Sequence, residues 1–142
     1  MNIHRRVVFD TSTLVGAALK VGSPPHRALL HAVATSDVCA SPQTWMELNE
    51  VMQRPRLDRF MDRSTRMTFV AILRQHMRFF PVSPEDESAV QPACRDTRDN
   101  KFLALARVCR ADVLISSDDD LLVLHPWCGM PVLRAAEFLA RS

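Results

Sequence analysis

Short apolar runs alternate with amphipathic segments along most of the chain. Arg6-Val7-Val8-Phe9-Asp10 is apolar and ends in an acid, as suits a central parallel strand buried on both faces. Ser12 or Thr13 can cap a helix over 14–20. A loop over 21–25 leads to a helix over 26–34, with Leu29, Leu30 and Val33 on one side. A second strand over 37–40 is followed by Ser41 as cap and Pro42 at the first position of a helix to about Gln53, broken by Pro55. A short helix over 57–61 precedes a longer one over 64–79, in which Met67, Val70, Ala71, Leu73, Met77 and Phe80 keep near-helical spacing. A third strand is expected at Phe80-Pro81-Val82, then a polar loop or weak helical turn over 83–93. A helix opening at Asp96 or Thr97 ends near Arg110 and feeds a fourth strand over 112–116. Asp118-Asp119-Asp120 opens a short turn or helix; an edge strand over 131–133 and a helix over 135–141 close the chain. This alternation predicts an α/β protein with a parallel sheet sandwiched by helices.

A length of 142 residues fits one domain, 1–142, and 47% hydrophobic residues suffice for one core. No apolar run reaches the roughly 18–20 residues of a membrane span. Asp10 stops the apolar residues behind the basic N-terminus, a pattern unlike a signal peptide, so a cytoplasmic protein is expected. The four cysteines, Cys39, Cys94, Cys109 and Cys128, show neither C-x-x-C nor zinc spacing, which predicts reduced and mostly buried thiols. His4, His26, His31, His76 and His125 are scattered, and none lies in an acidic cluster. The net charge of +2 is uninformative, but residues 54–78 hold seven arginines and two aspartates. That segment is either a solvated, arginine-rich helical face or a phosphate-contacting surface.

The acids are placed more tellingly. Asp10, Asp99 and Asp118 end strands or open the helices after them, with Asp96 one turn before Asp99 and Asp120 two residues after Asp118. Glu47 lies in the helix after the second strand. Taken singly, Asp10 and Asp96 read as helix caps, Asp119 and Glu47 as solvent-facing acids, and Lys101 as a solvated helix lysine. Taken jointly, a parallel sheet brings all four regions to its carboxyl edge, where such sheets bind ligands. Converging carboxylates stay ionised only with a cation among them. Oxygen donors without Cys or His select Mg²⁺ or Mn²⁺, an ion that can activate water and stabilise the leaving oxygen of a phosphodiester.

The motifs resemble those of the PIN-domain family, in its toxin-like (VapC-type) branch. Val7-Val8-Phe9-Asp10-Thr11-Ser12 resembles the first motif, and Trp45-Met46-Glu47-Leu48-Asn49-Glu50-Val51 with Arg54-Pro55 the second. Arg95-Asp96-Thr97-Arg98-Asp99-Asn100-Lys101-Phe102 resembles the third, and Leu114-Ile115-Ser116-Ser117-Asp118-Asp119-Asp120-Leu121-Leu122 the fourth. The tail over 132–139 resembles that branch's closing strand and helix. The resemblance implies a three-layer α/β/α sandwich with a central, mostly parallel sheet, and a metal-dependent ribonuclease. It further implies the toxin half of a bacterial toxin–antitoxin pair, with RNA as substrate, a cognate antitoxin and a homodimer as partners, and Mg²⁺ or Mn²⁺ as cofactor. Asp10, Glu47, Asp99 and Asp118 carry over as the catalytic, metal-binding acids and Asp120 as a further metal-site acid. Asp96, Ser12 and Ser116 are accessory. Two stretches depart from the family pattern: Ser12 stands where Asn is usual, and Ser116-Ser117 where Thr-Gly is usual.

Three other readings compete. A haloacid-dehalogenase-like phosphatase needs a second acid where Ser12 stands. A Rossmann nucleotide-binding protein needs a Gly-x-Gly-x-x-Gly or P-loop, and only Gly16, Gly22 and Gly129 exist. A catalytically weak or inactive PIN-like module that binds RNA or protein remains as the alternative, and the full set of four acids weighs against it.

Overall fold

The computed structural model describes residues 5–142, so the expectation about the extreme N-terminus, His4 included, lies outside the described residues. Five strands form one sheet: β1 (Arg5–Phe9), β2 (Ser36–Ala40), β3 (Met77–Phe79), β4 (Val113–Ile115) and β5 (Val132–Leu133). Their order is β3-β2-β1-β4-β5 and every pairing is parallel. The chain steps outward from β1 to β2 and β3, then returns to β4 on the other side of β1. The carboxyl ends of β1 and β4 therefore flank a topological switch point, where a crevice opens in sheets of this kind.

Alternation along the strands builds two cores. Val7, Phe9, Val38, Val113, Ile115 and Leu133 face one way and belong to the first apolar cluster. That cluster packs under α1 (Thr11–Leu19), α2 (Pro24–Thr35), α3 (Pro42–Met52), α4 (Arg63–Gln75) and α8 (Ala135–Ala140). Val8, Cys39, Leu114 and Val132 face the other way, toward α6 (Asn100–Cys109) and α7 (Asp119–Leu122), with α5 (Pro84–Ser88) packed beside α6. Fully burying a side chain such as Leu103 or Ile115 is worth about 1.5–3 kcal/mol. The result is the expected three-layer α/β/α sandwich, with an all-parallel sheet.

Local boundaries differ where prolines and caps act. Asp10, rather than Ser12 or Thr13, caps α1, accepting from the Thr13 amide at 2.9 Å. Ser23 caps α2, so Pro24 and Pro25 are its first helical residues instead of loop. Ser41 and Thr44 form a reciprocal cap on α3. The helix expected over 57–61 is a 3-10 turn, Pro55–Arg59. The third strand lies at Met77–Phe79, not 80–82, and α4 stops at Gln75. Pro81 has no amide to donate, so the last ladder bond is Phe80 N–H to the Ala40 carbonyl at 2.9 Å. All four cysteines are free thiols, three buried and Cys128 exposed. No described helix is long and apolar enough to cross a membrane.

A candidate active site in an acidic cleft

The β1–β4 register aligns Phe9 with Ile115, and the Asp10 amide donates to the Ile115 carbonyl at 3.0 Å. The chain leaves both strands at the same level, so Asp10 and Ser116 meet. The Ser116 hydroxyl donates to Asp10 Oδ2 at 2.5 Å and accepts from the Asp118 amide at 2.9 Å. Asp10 Oδ1 accepts from the Thr13 amide and, at 3.3 Å, from the Ser12 hydroxyl. Asp10 is thus both a helix cap and a buried acid, 3% exposed. Burial pushes its carboxyl above the ordinary range, and the Ser116, Thr13 and Ser12 donors oppose that rise.

Asp99 arrives from the other helical layer. It is the last residue of the 3-10 turn Thr97–Asp99 and the cap position of α6, yet its side chain makes no capping bond. Its carboxylate is therefore left for the cleft. Burial, followed by the adjacent Asp118 carboxyl, pushes Asp99 up to about 7. Asp118 itself accepts from the Asp120 amide at 2.9 Å and caps α7. Glu47 projects from α3 and is half-buried.

Asp10, Glu47, Asp99 and Asp118 line one cleft of about 320 Å³, together with Thr11, Ser12, Arg54 and Arg56. Asp96, Ser116 and Asp120 are not among its lining residues. Asp96 caps the 3-10 turn and pairs with Arg98 at 2.9 Å, while Ser116 lies behind Asp10 as a link to Asp118. Asp119 is exposed and pairs with Arg134 at 3.0 Å.

Lys101 differs from the sequence expectation. It is not a solvated helix lysine, because its side chain is 18% exposed and its ammonium is bonded to the Glu47 carboxylate. The placement of Asn100-Lys101 at the first turn of α6 aims it at α3, a proximity that local sequence does not carry. The two departures from the family pattern also meet: the Ser12 and Ser117 hydroxyls lie 2.9 Å apart, joining the turns after β1 and β4.

Among the described residues no three His, Cys, Asp or Glu side chains are grouped closely enough to hold a metal ion as placed. The donor chemistry nevertheless fits a hard divalent cation, since every acidic group of the cleft offers oxygen. Asp99 and Asp118 are a close like-charged pair that a cation would relieve. Thr11 Oγ1 is also buried in that wall without a hydrogen-bond partner.

Comparison with curated proteins gives no match. Among solved structures, VapBC2 from Rickettsia felis, bound to a DNA fragment from its promoter, aligns over 89% of this chain and 96% of that one, with 10% identity and a TM-score of 0.65. VapC20 of Mycobacterium tuberculosis, a Sarcin-Ricin loop cleaving toxin, aligns over 88% and 98%, with 16% identity and a TM-score of 0.56. PAE2754 from Pyrobaculum aerophilum aligns over 96% and 88%, with 10% identity and a TM-score of 0.59. At such identities these likenesses speak for the fold. The PIN domain family matches residues 6–120, a span from the first strand to the acids after β4, and on that match this chain belongs to the PIN domain family.

Proposed function

We propose that the protein is a metal-dependent endoribonuclease, a single-domain toxin of a bacterial toxin–antitoxin pair acting in the cytoplasm. One observation carries the reading: four acids from four separate elements line one cleft at the carboxyl edge of the sheet. Asp10, Glu47, Asp99 and Asp118 would hold Mg²⁺ or Mn²⁺, with Asp120 contributing from the side. A divalent ion bound there supplies Lewis acidity toward the phosphodiester and lowers the pKa of water. The chain's own part is positional. Ser116 fixes the Asp10 carboxylate and the Asp118 backbone at once, and Ser12 bonds to Asp10 and reaches Ser117. The toxin assignment, with a small antitoxin and a second copy as partners, draws on the resemblance and on the shared fold with VapC20. Cleavage of a mixed RNA pool in Mn²⁺ or Mg²⁺, against chelator and Asp118→Asn, tests it. Metal-dependent cleavage lost in the variant is expected; full activity in the variant, or in chelator, refutes it.

A second reading, a PIN module that binds RNA or protein without cutting, draws on Lys101, whose ammonium occupies one Glu47 oxygen. Under the nuclease reading that ammonium competes with the metal for Glu47. Lys101→Met is therefore expected to tighten Mn²⁺ binding about three- to tenfold by calorimetry, the effect of removing one nearby like charge at a partly screened site. Unchanged or weakened Mn²⁺ binding would count against Glu47 as a ligand and favour the non-cutting module.

A further inference from the structure

The arginines of residues 54–78 are not one surface. Arg66 is fully buried. Arg74 lies over the rings of Trp45 and Phe79, at 5.4 and 4.5 Å. Arg78 pairs with Asp37 at 3.1 Å and lies over Phe80. Arg63 bonds to Gln53 at 3.2 Å, and Arg59 lies 4.8 Å over the ring of Phe60. Among the described residues, Arg54 and Arg56 remain: both are exposed, neither guanidinium has a hydrogen-bond or ion-pair partner, and both line the acidic cleft.

The segment that presents them is held from beneath. The buried guanidinium of Arg66 donates to the carbonyls of Met52 at 2.8 Å, Arg54 at 3.3 Å and Met61 at 2.5 Å, and to Asp58 at 2.9 Å. These acceptors lie before, within and after the Pro55–Arg59 turn, and Pro55 fixes a backbone angle between the two arginines. A pair of guanidiniums on a pre-ordered turn loses little backbone freedom on binding. Their planar donor forks match phosphate oxygens two at a time.

We propose that Arg54 and Arg56 are the cleft's polynucleotide-binding arm, each holding a backbone phosphate of a single-stranded RNA whose neighbouring phosphodiester lies against the four acids. This rests on the ribonuclease reading for the identity of the polyanion. It assigns opposite duties to the two kinds of charged residue that line one cleft. The arginines bind strand and the acids are left for the reacting group. Arg59 and Arg63, a few residues on, take no part.

The test is fluorescence anisotropy of an unstructured, labelled RNA 12-mer in chelator, so that no probe is consumed, repeated from low to moderate NaCl. Arg54→Gln/Arg56→Gln is expected to bind at least tenfold more weakly than wild type. The slope of log affinity against log salt should be shallower by about 1.4, the value for two lost phosphate contacts on a single strand. Arg59→Gln/Arg63→Gln should stay within about twofold, and both doubles should melt with the wild type. Under turnover the first double should raise KM with kcat retained. Equal weakening in both doubles, or no weakening in the first, overturns the arm and leaves the nuclease standing. No RNA binding by the wild-type protein overturns the ribonuclease reading itself.

Discussion

Asp10→Asn is expected to melt at a higher temperature than the wild-type protein in chelator, and to cut no RNA. Asp10 is buried, and burial raises its carboxyl above the ordinary carboxylate range despite donors from Thr13, Ser12 and Ser116. A carboxyl raised in the folded state destabilises that state once it ionises. The cost is absent below the unfolded pKa near 4, grows as pH rises past it, and is complete above the raised folded value. Asparagine keeps Oδ1 for the Thr13 amide, offers an amide toward Ser116 and carries no charge. The gain in the variant should therefore widen from pH 4 upward, each 1 kcal/mol moving the melting temperature by about 3–5 °C in a chain of this size. Added Mn²⁺ should narrow or invert the order, because a ligand stabilises only the protein that binds it. Under the ribonuclease proposal, cleavage should fall at least about 100-fold with loss of one of the proposed metal-site acids. A variant that melts below wild type at neutral pH in chelator, or that gains nothing from rising pH, would show that Asp10 is held chiefly as a structural cap.

Much of this was legible in the chain because its signals are local or periodic. The runs Val7-Val8-Phe9 and Val113-Leu114-Ile115, each soon followed by an acid, mark buried parallel strands. Ser41-Pro42 marks a helix start, and four spaced motifs place Asp10, Glu47, Asp99 and Asp118 at one sheet edge. The misplaced third strand shows a limit of periodicity, since Met77 and Phe80 continue the spacing of α4 while Met77 and Phe79 serve equally as alternate strand residues. Only pairing with Val38 and Ala40 decides between them. Two of the unforeseen contacts are long-range. Lys101 reaches Glu47 across 54 residues and Ser12 reaches Ser117 across 105. Arg66 stands four and seven residues before the buried Val70 and Leu73 and so shares their face of α4, but its charge alone reads as solvated. The same limit hid the division among the arginines, which depends on what each guanidinium touches rather than on their density.

Arg66→Ala is expected to destabilise the protein by roughly 3–5 kcal/mol in urea unfolding, the cost of leaving the buried Met52 carbonyl and partly buried acceptors unpaired together with a cavity. The side chain is fully buried, yet its one charged partner, Asp58, is 59% exposed on its own side chain. An ion pair with so exposed a carboxylate is screened and worth less than about 1 kcal/mol. The greater part comes from the Met52, Arg54 and Met61 carbonyls, all at or beyond the end of α3. Met52 is the last residue of that helix, so its carbonyl has no partner within it and sits at the negative end of the helix dipole. Arg66 therefore clasps the chain where α3 passes through the Arg-Pro-Arg turn into α4. Lysine at this position carries the same charge on one point and cannot reach acceptors in three directions. Arg66→Lys should recover less than half of the loss, and Asp58→Asn should cost under about 1 kcal/mol. Because the same turn presents Arg54 and Arg56, the folded Arg66→Lys protein should also bind RNA more weakly while keeping its Mn²⁺ affinity, as the acids stand on other elements. An Asp58→Asn protein as unstable as Arg66→Ala would mean that the buried guanidinium is held by its counter-charge rather than by the backbone.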